Sequence, residues 1–427
     1  MIRPAKDSPE ERLWLSNLDL VQPRLHLPTV YLYKPIDSSN FFEAQVLKEA
    51  LSKVLVPFYP MAGRLGKDEN GRIEINCNGE GVLFVEAETN IALSDLGEFI
   101  PVLQLQQLIP TVDYSGDISS YPLFVLQVTR FTCGGVCLGV GFLHTVGDGG
   151  GAIHLINTWS DLARGLSMTT PPFTNRTMLS ARVPTNPKFH HIEYDPHPTM
   201  NSHDPTTPTQ QKPSSSMANL KITLDLMNAL KSKTTENNES KTKYSSFEVL
   251  TAHIWRCTCK ARGLPDAQAT KLCIPTDGRS RFHPPLPSNY FGNVVFHATP
   301  IALSGDLLSE PFAATAERIH QAIKRMDDEY LRSVIDYMEE VGDLKQITQG
   351  IRLYECPNLK INSWLRLPFY KADFGWGAPL LIRPAIASDG KAVMYPGPVN
   401  DGSFFLAIGL GTNHVKSFEK LFYDLDH

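Results

Sequence analysis

Apolar periodicity disappears between Val183 and Ser216, where Pro, Ser, Thr, His and Asn crowd together. That break constrains the chain more than any motif, because 427 residues exceed what a single hydrophobic core ordinarily supports. The expected organisation is an N-terminal domain over 1–183, a crossover linker over 184–216 and a C-terminal domain over 217–427. Before the break, Asn40 to Leu55 reads as a helix, while short apolar runs around Gly71 to Glu86 and Pro122 to Phe131 read as strands. After it, Ser245-Ser246-Phe247-Glu248 has the spacing of a capping box and opens a helix running through Trp255 towards Gly263. Asn293 to Ile301 reads as a strand, and Ala313 to Met326 and Asp328 to Val341 read as helices. Strands and helices mixed in both halves make the fold class α/β or α+β.

Several function classes are disfavoured by composition. The formal net charge is −5, and no block of Lys and Arg is concentrated anywhere, which argues against nucleic acid as the main partner. No apolar run approaches the roughly 20 residues that span a bilayer, so membrane insertion is not expected. The opening residues Met1 to Asp7 lack the apolar centre of a signal peptide, and the cytoplasm is the expected compartment. Seven cysteines, an odd number without paired CxxC units, fit reduced thiols better than a disulfide framework or a zinc site, and no metal is expected.

The chemistry concentrates in Phe142-Leu143-His144-Thr145-Val146-Gly147-Asp148-Gly149. Gly134 to Leu143 reads as a buried strand, which puts His144 at a strand end. Ala152 to Leu166 carries apolar residues at helical spacing, which puts Asp148 at or just before a helix start. Glycines 147, 149, 150 and 151 keep the intervening turn tight and open to a substrate. An imidazole fixed at the end of a rigid element suits a general base. A buried histidine that happens to precede an N-cap aspartate would show the same spacing. Far downstream stands a second unusual segment, Asp373-Phe374-Gly375-Trp376-Gly377.

The pair of motifs, HxxxD followed by DFGWG, resembles the BAHD family of plant acyl-CoA-dependent acyltransferases. Within it, Leu13 to Leu20, Val56 to Leu65, Thr276 to Arg281, Tyr290 to Asn293 and Pro398 to Ser403 are similar to the hydroxycinnamoyl-CoA:shikimate/quinate hydroxycinnamoyltransferase branch. The resemblance runs nearly end to end. It implies two chloramphenicol-acetyltransferase-like domains with a channel between them, acyl-CoA entering from one side and a small hydroxy-acid acceptor from the other. A thioester is already activated, so direct attack by a deprotonated hydroxyl suffices and no acyl-enzyme is needed. No G-x-S-x-G nucleophile elbow is present. The resemblance thus makes acyl-CoA a co-substrate, with no cofactor, and the expected protein is a monomer.

By the same resemblance, His144 is the base, and Asp148 turns away from it to pair with Arg279 or Arg281. Trp376, whose indole can only donate, is the expected oxyanion donor, while Asp373 is structural. Arg366 matches the arginine that grips the acceptor carboxylate, a task suited to its planar fork. His26, Thr29, Tyr31 and Asn362 are the expected acceptor-side residues. Lys243, Ser245 and Ser246, beside a helix start, are expected to meet CoA phosphate.

The chain also departs from that branch. It reads His144-Thr145-Val146-Gly147-Asp148-Gly149 where HHAADG is usual, has Gly150 and Gly151 where bulkier residues stand, and carries Leu27, Thr29 and Asn362 where Thr, Ser and Thr are typical. Hydroxycinnamoyl transfer to shikimate or quinate is the leading expectation. The alternatives are a hydroxyphenyllactate acceptor, as in rosmarinate synthase, a thioesterase in which His144 activates water, and a silent binding protein on the same fold.

Overall fold

The computed structural model describes residues 1–96, 102–200, 215–235, 242–348, 355–385, 388–397 and 401–425. In chain order the strands are β1 (Arg12–Trp14), β2 (His26–Tyr33), β3 (Arg64–Lys67), β4 (Ile73–Asn76), β5 (Leu83–Glu88), β6 (Phe124–Arg130), β7 (Val136–Leu143) and β8 (Ser215–Ile222). They continue with β9 (Ala269–Asp277), β10 (Val295–Ala298), β11 (Ile301–Leu303), β12 (Leu359–Ser363), β13 (Leu381–Pro384), β14 (Lys391–Pro396) and β15 (Phe404–Gly411). One sheet has the order β13-β2-β7-β6-β5, a second β10-β9-β12-β14-β15-β8 with β11 also on β9, and a small third β1-β4-β3.

The first sheet is built around β7, which is buried along its whole length. That is why Val136 to Leu143 reads as a continuous apolar run rather than an alternating one. Gly139 in its middle has no room for a side chain, since a Cβ there would lie 1.8 Å from the Leu108 carbonyl oxygen. On one face of this sheet Trp159, Phe142, Tyr31 and Leu51 belong to the first large core, and on the other Val30, Leu32 and Cys137 form a smaller cluster. Helix Ala44–Val54 and helix Gly149–Ala163 close the large face.

The second sheet carries the second core with helices Ser246–Arg262, Phe312–Lys324 and Asp328–Val341. The capping box forms: Ser245 Oγ accepts from Glu248 N while Glu248 Oε2 accepts from Ser245 N. Gly263 ends that helix at φ 59°, a left-handed turn that glycine adopts without strain. Helix positions agree with the periodicity to within a few residues. The expected strand Asn293 to Ile301 is instead two short strands, β10 and β11, which pair with successive parts of β9 around Thr299 and Pro300. Proline lacks the N–H that would continue a ladder through that point.

Two findings concern the division of the chain. Residues 201–214 of the expected linker lie outside the described residues, and its last two, Ser215 and Ser216, already belong to β8. Its described start is packed rather than loose: Asn186 N donates to Asp336 at 2.9 Å and His191 Nε2 meets Ser333 Oγ at 2.9 Å. Asp373 to Gly377, expected in the second domain, packs with the first core instead. Phe374 stacks edge-on to Trp159 with centroids 4.7 Å apart, and β13 immediately afterwards joins β2 in the first sheet. The apolar rings of this segment find their matching surface there, each buried aromatic being worth about 1.5–3 kcal/mol.

Candidate active site

A cavity of about 320 Å³ lies between the two large sheets. Thr29 and Tyr31 of β2 and Val140 and Phe142 of β7 form one wall, and His297 of β10, Lys360 and Asn362 of β12 and Lys391 of β14 form the other. His144 lines it too, on a single 3-10 turn that breaks away from the end of β7. Its Nδ1 is buried without a hydrogen-bond partner among the described residues, which leaves Nε2 as the nitrogen available to the cavity.

The turn is held by two buried networks. Asp148 caps helix Gly149–Ala163 by accepting from Gly151 N, and it also accepts from Val294 N at 3.1 Å. Arg279 donates to both oxygens of Asp148 at 2.9 Å each, and further to Asp277 and to the Tyr290 carbonyl. Arg281 is directed elsewhere, to the carbonyls of Ile323 and Met326, so the partner of Asp148 is Arg279. In the second network Asp19 sits in a fully buried pair with Arg176 at 2.9 Å. Asn293 donates its amide to Asp19 at 2.8 Å and to the His144 carbonyl at 2.9 Å. The Leu13 to Leu20 and Tyr290 to Asn293 segments, far apart in the chain, thus converge on the base, which local patterning does not show.

Electrostatics keep the imidazole neutral. Burial first, and the Lys360 ammonium second, push His144 down to about 4; Lys391 acts the same way, while the His144 carbonyl and Asp148 oppose more weakly. Burial alone would raise the Asp148 carboxyl, but Arg279 and the N–H groups of Val294 and Gly151 outweigh it and hold that group below its ordinary value. Burial, then Lys360, push Lys391 down to about 8. A neutral imidazole exposed to a cavity can take a proton at working pH.

Of the residues expected at the site, Thr29, Tyr31 and Asn362 reach the cavity with His144, and the Tyr31 hydroxyl is buried with no partner among the described residues. His26 does not. It lies on β2 with the opposite parity to Thr29 and Tyr31, so its side chain leaves by the other face. There Nδ1 meets Tyr114 Oη at 2.7 Å and Nε2 meets the Pro122 carbonyl at 2.9 Å, which uses both nitrogens. Trp376 is no oxyanion donor: it is 9 % exposed, packs against Phe41 and Phe42, and points its N–H at Asn40 Oδ1 at 3.4 Å. Asp373 accepts from Gly375 N at 2.8 Å and Gly377 N at 2.9 Å, a turn in which both glycines have positive φ. Arg366 is exposed and is not among the residues that line the cavity, although Trp364 and Leu367 on either side of it are. Of the two extra glycines, Gly150 lines the cavity but Gly151 packs against Phe291. Lys243 and Ser246 are exposed away from the cavity lining, and Ser245 is engaged in its capping box.

Lys360, Lys391, His297 and Trp364 line the cavity and were missed. A signal for Lys360 lies in the alternation of Leu359-Lys360-Ile361-Asn362, which sets it two residues from the candidate Asn362. Alternation puts Lys360 on the same face.

Among the described residues no helix is long and apolar enough to cross a membrane. A model of the Transferase family matches residues 1–425. A shikimate O-hydroxycinnamoyltransferase of Nicotiana tabacum is 54% identical over 99% of this chain and 98% of its own. A rosmarinate synthase of Plectranthus scutellarioides is 47% identical over 100% of this chain and 98% of its own. Among solved structures, TRI101 of F. sporotrichioides complexed with coenzyme A and T-2 superposes with a TM-score of 0.78 at 19% identity, covering 97% of this chain and 98% of that one. That likeness shows the fold: two domains of mixed strands and helices.

Proposed function

The chain belongs to the Transferase family, the BAHD acyl-CoA-dependent acyltransferases, and from that membership we propose that it moves a hydroxycinnamoyl group from CoA to a hydroxyl of shikimate or quinate. The observation that carries the reading is His144, a neutral imidazole presented to a cavity between the two sheets. His144 Nε2 takes the acceptor's hydroxyl proton as the oxygen attacks the thioester carbon. The tetrahedral intermediate collapses with cleavage of the C–S bond, and the imidazolium returns the proton to the departing CoA thiolate. Asp148 serves by holding the turn, since both its oxygens are occupied by Arg279.

The cavity supplies hydroxyl and amide groups for an acceptor from Thr29, Tyr31 and Asn362. Lys243 and Ser246, beside the N-terminus of helix Ser246–Arg262, are suited to CoA phosphate. We assign residues 1–183 and 217–427 to two domains joined by a crossover, with the 372–384 stretch of the second crossing back onto the first core and sheet, in a cytoplasmic monomer that uses acyl-CoA as co-substrate and no cofactor. A second reading, hydroxyphenyllactate as acceptor, is favoured by the apolar Leu27 beside Thr29 in the cavity wall and by the rosmarinate synthase relative.

The test is thiol release from p-coumaroyl-CoA with shikimate, quinate, hydroxyphenyllactate or no acceptor, each product identified by mass. A shikimate or quinate ester supports the first reading and an ester with hydroxyphenyllactate alone supports the second. Release without any acceptor would make the chain a thioesterase.

A further inference from the structure

Lys360 and Lys391 are register partners on the parallel strands β12 and β14. Leu359 and Ile361 on one strand and Ala392 and Met394 on the other turn into the second core, so both lysines leave by the opposite face and line the cavity. Both are half-buried, and neither has an ion-pair or hydrogen-bond partner among the described residues. The other titratable groups in that lining do not neutralise them. Asp148 and Asp277 are both hydrogen-bonded to Arg279, His144 and His297 are kept neutral, and burial keeps the phenols of Tyr31 and Tyr194 protonated.

An unpartnered amine beside a second cation and against apolar side chains is the setting in which lysine becomes a nucleophile, because burial and like charge both favour its neutral form. Val140, Phe142 and Ile153 supply the apolar surroundings. Burial, then the Lys360 charge, push Lys391 down to about 8, so about a tenth of it is free amine at pH 7. A thioester acylates any nucleophile within reach. Lys391, on a flexible four-carbon stem, shares the cavity of about 320 Å³ with His144 and acts on its imidazole.

We propose that Lys391 is a self-acylation site: when acyl-CoA is bound without an acceptor, Lys391 Nζ takes the acyl group and the chain carries a hydroxycinnamoyl amide in its own active site. The proposal rests on the acyltransferase reading above. The Nζ lone pair attacks the thioester carbon, a C–N bond forms and the C–S bond breaks. His144 Nε2 takes one proton from the nitrogen and returns it to the CoA thiolate, which leaves a neutral amide and free CoA. The amide occupies the space that donor and acceptor need, so an acylated chain no longer turns over. An acceptor in the cavity competes for the same acyl carbon, and the modification therefore marks a chain that meets acyl-CoA without acceptor.

The experiment incubates the full chain at pH 7 with p-coumaroyl-CoA, alone or with a saturating concentration of whichever of shikimate, quinate and 4-hydroxyphenyllactate it esterifies. Thiol release, intact mass and a peptide map are followed, the map after hydroxylamine, which strips thioesters from cysteine and leaves amides. Without acceptor, thiol release is expected to stop at about one equivalent per chain, with one coumaroyl group retained on Lys391. Acceptor should slow the labelling at least about tenfold by mass action. Labelled chains should lose transfer activity in proportion to the labelled fraction. Lys391→Arg and Lys391→Gln should lose the label, and Lys360→Gln should keep it but acquire it up to about tenfold more slowly, the factor of one unit in pKa. Label spread over exposed lysines, labelling indifferent to acceptor, or transfer to an acceptor by a chain that never becomes labelled each overturns the site, and these readings on the unmodified protein decide even if a variant does not fold. Unlabelled chains that release thiol continuously without acceptor overturn it in favour of hydrolysis. Absence of both transfer and label with every acceptor overturns the acyltransferase reading instead.

Discussion

The Asp148 carboxylate and the Arg279 guanidinium, 131 residues apart in the chain, meet through two hydrogen bonds of 2.9 Å each. The pair ties the turn that carries the base to the end of β9 in the other sheet. Both Asp148 oxygens are engaged, and neither is bonded to the imidazole, so the aspartate positions His144 only through the backbone.

Breaking that pair leaves a buried charge uncompensated. Arg279→Gln and Asp148→Asn are each expected to lower unfolding free energy by about 3–5 kcal/mol, measured by urea denaturation. Activity should fall in parallel with stability. Loss of kcat in a variant of unchanged stability would instead place Asp148 in the proton transfer.

His144→Ala removes the proton acceptor while leaving both networks that hold its backbone. We expect kcat to drop by about 10²–10⁴ with CoA affinity and the circular dichroism spectrum unchanged. A variant that retains most of its kcat would remove the imidazole from the mechanism.

The pH dependence has a defined sign. His144 acts unprotonated and its folded value is about 4, so kcat/KM should stay flat as pH falls from 7 to about 5 and decline only below. Lys360→Gln removes a cation that opposes imidazolium, so the acid limb should move up towards the ordinary imidazole value of about 6.5. A limb unmoved by Lys360→Gln, or one moved down, would contradict the coupling.

Trp376 and Arg366 supply a control. Trp376→Phe should retain kcat, whereas Trp376→Ala should cost about 3–5 kcal/mol of stability through the cavity left among Phe41, Phe42 and Phe374. Arg366→Ala should leave stability within about 0.5 kcal/mol, as exposed positions do. A large fall in kcat with Trp376→Phe would restore the indole as a donor to the reaction.

Much of the local structure was legible. Asp148 as a helix cap, the Ser245 to Glu248 capping box and the buried strand before His144 follow from short-range hydrogen bonding and from the 2.0 and 3.6 periods of strand and helix. The misplacement of His26 was avoidable, because strand parity separates it from Tyr31. Trp376 was not legible: its rings and glycines suit a reactive turn and a packed one equally, and the partner surface comes from residues more than 200 positions away.

What the sequence determined by itself is the set of contacts each segment makes with itself: element type, caps, the tight turn at His144, and through motif resemblance the family. Only the tertiary structure decided that β13 joins the first sheet, that Arg279 rather than Arg281 meets Asp148, and that Lys360 and Lys391 face the cavity rather than solvent. Alternation in a strand states which residues leave the core. What lies beyond that face depends on how two sheets are apposed, which is set by contacts between segments far apart in the chain.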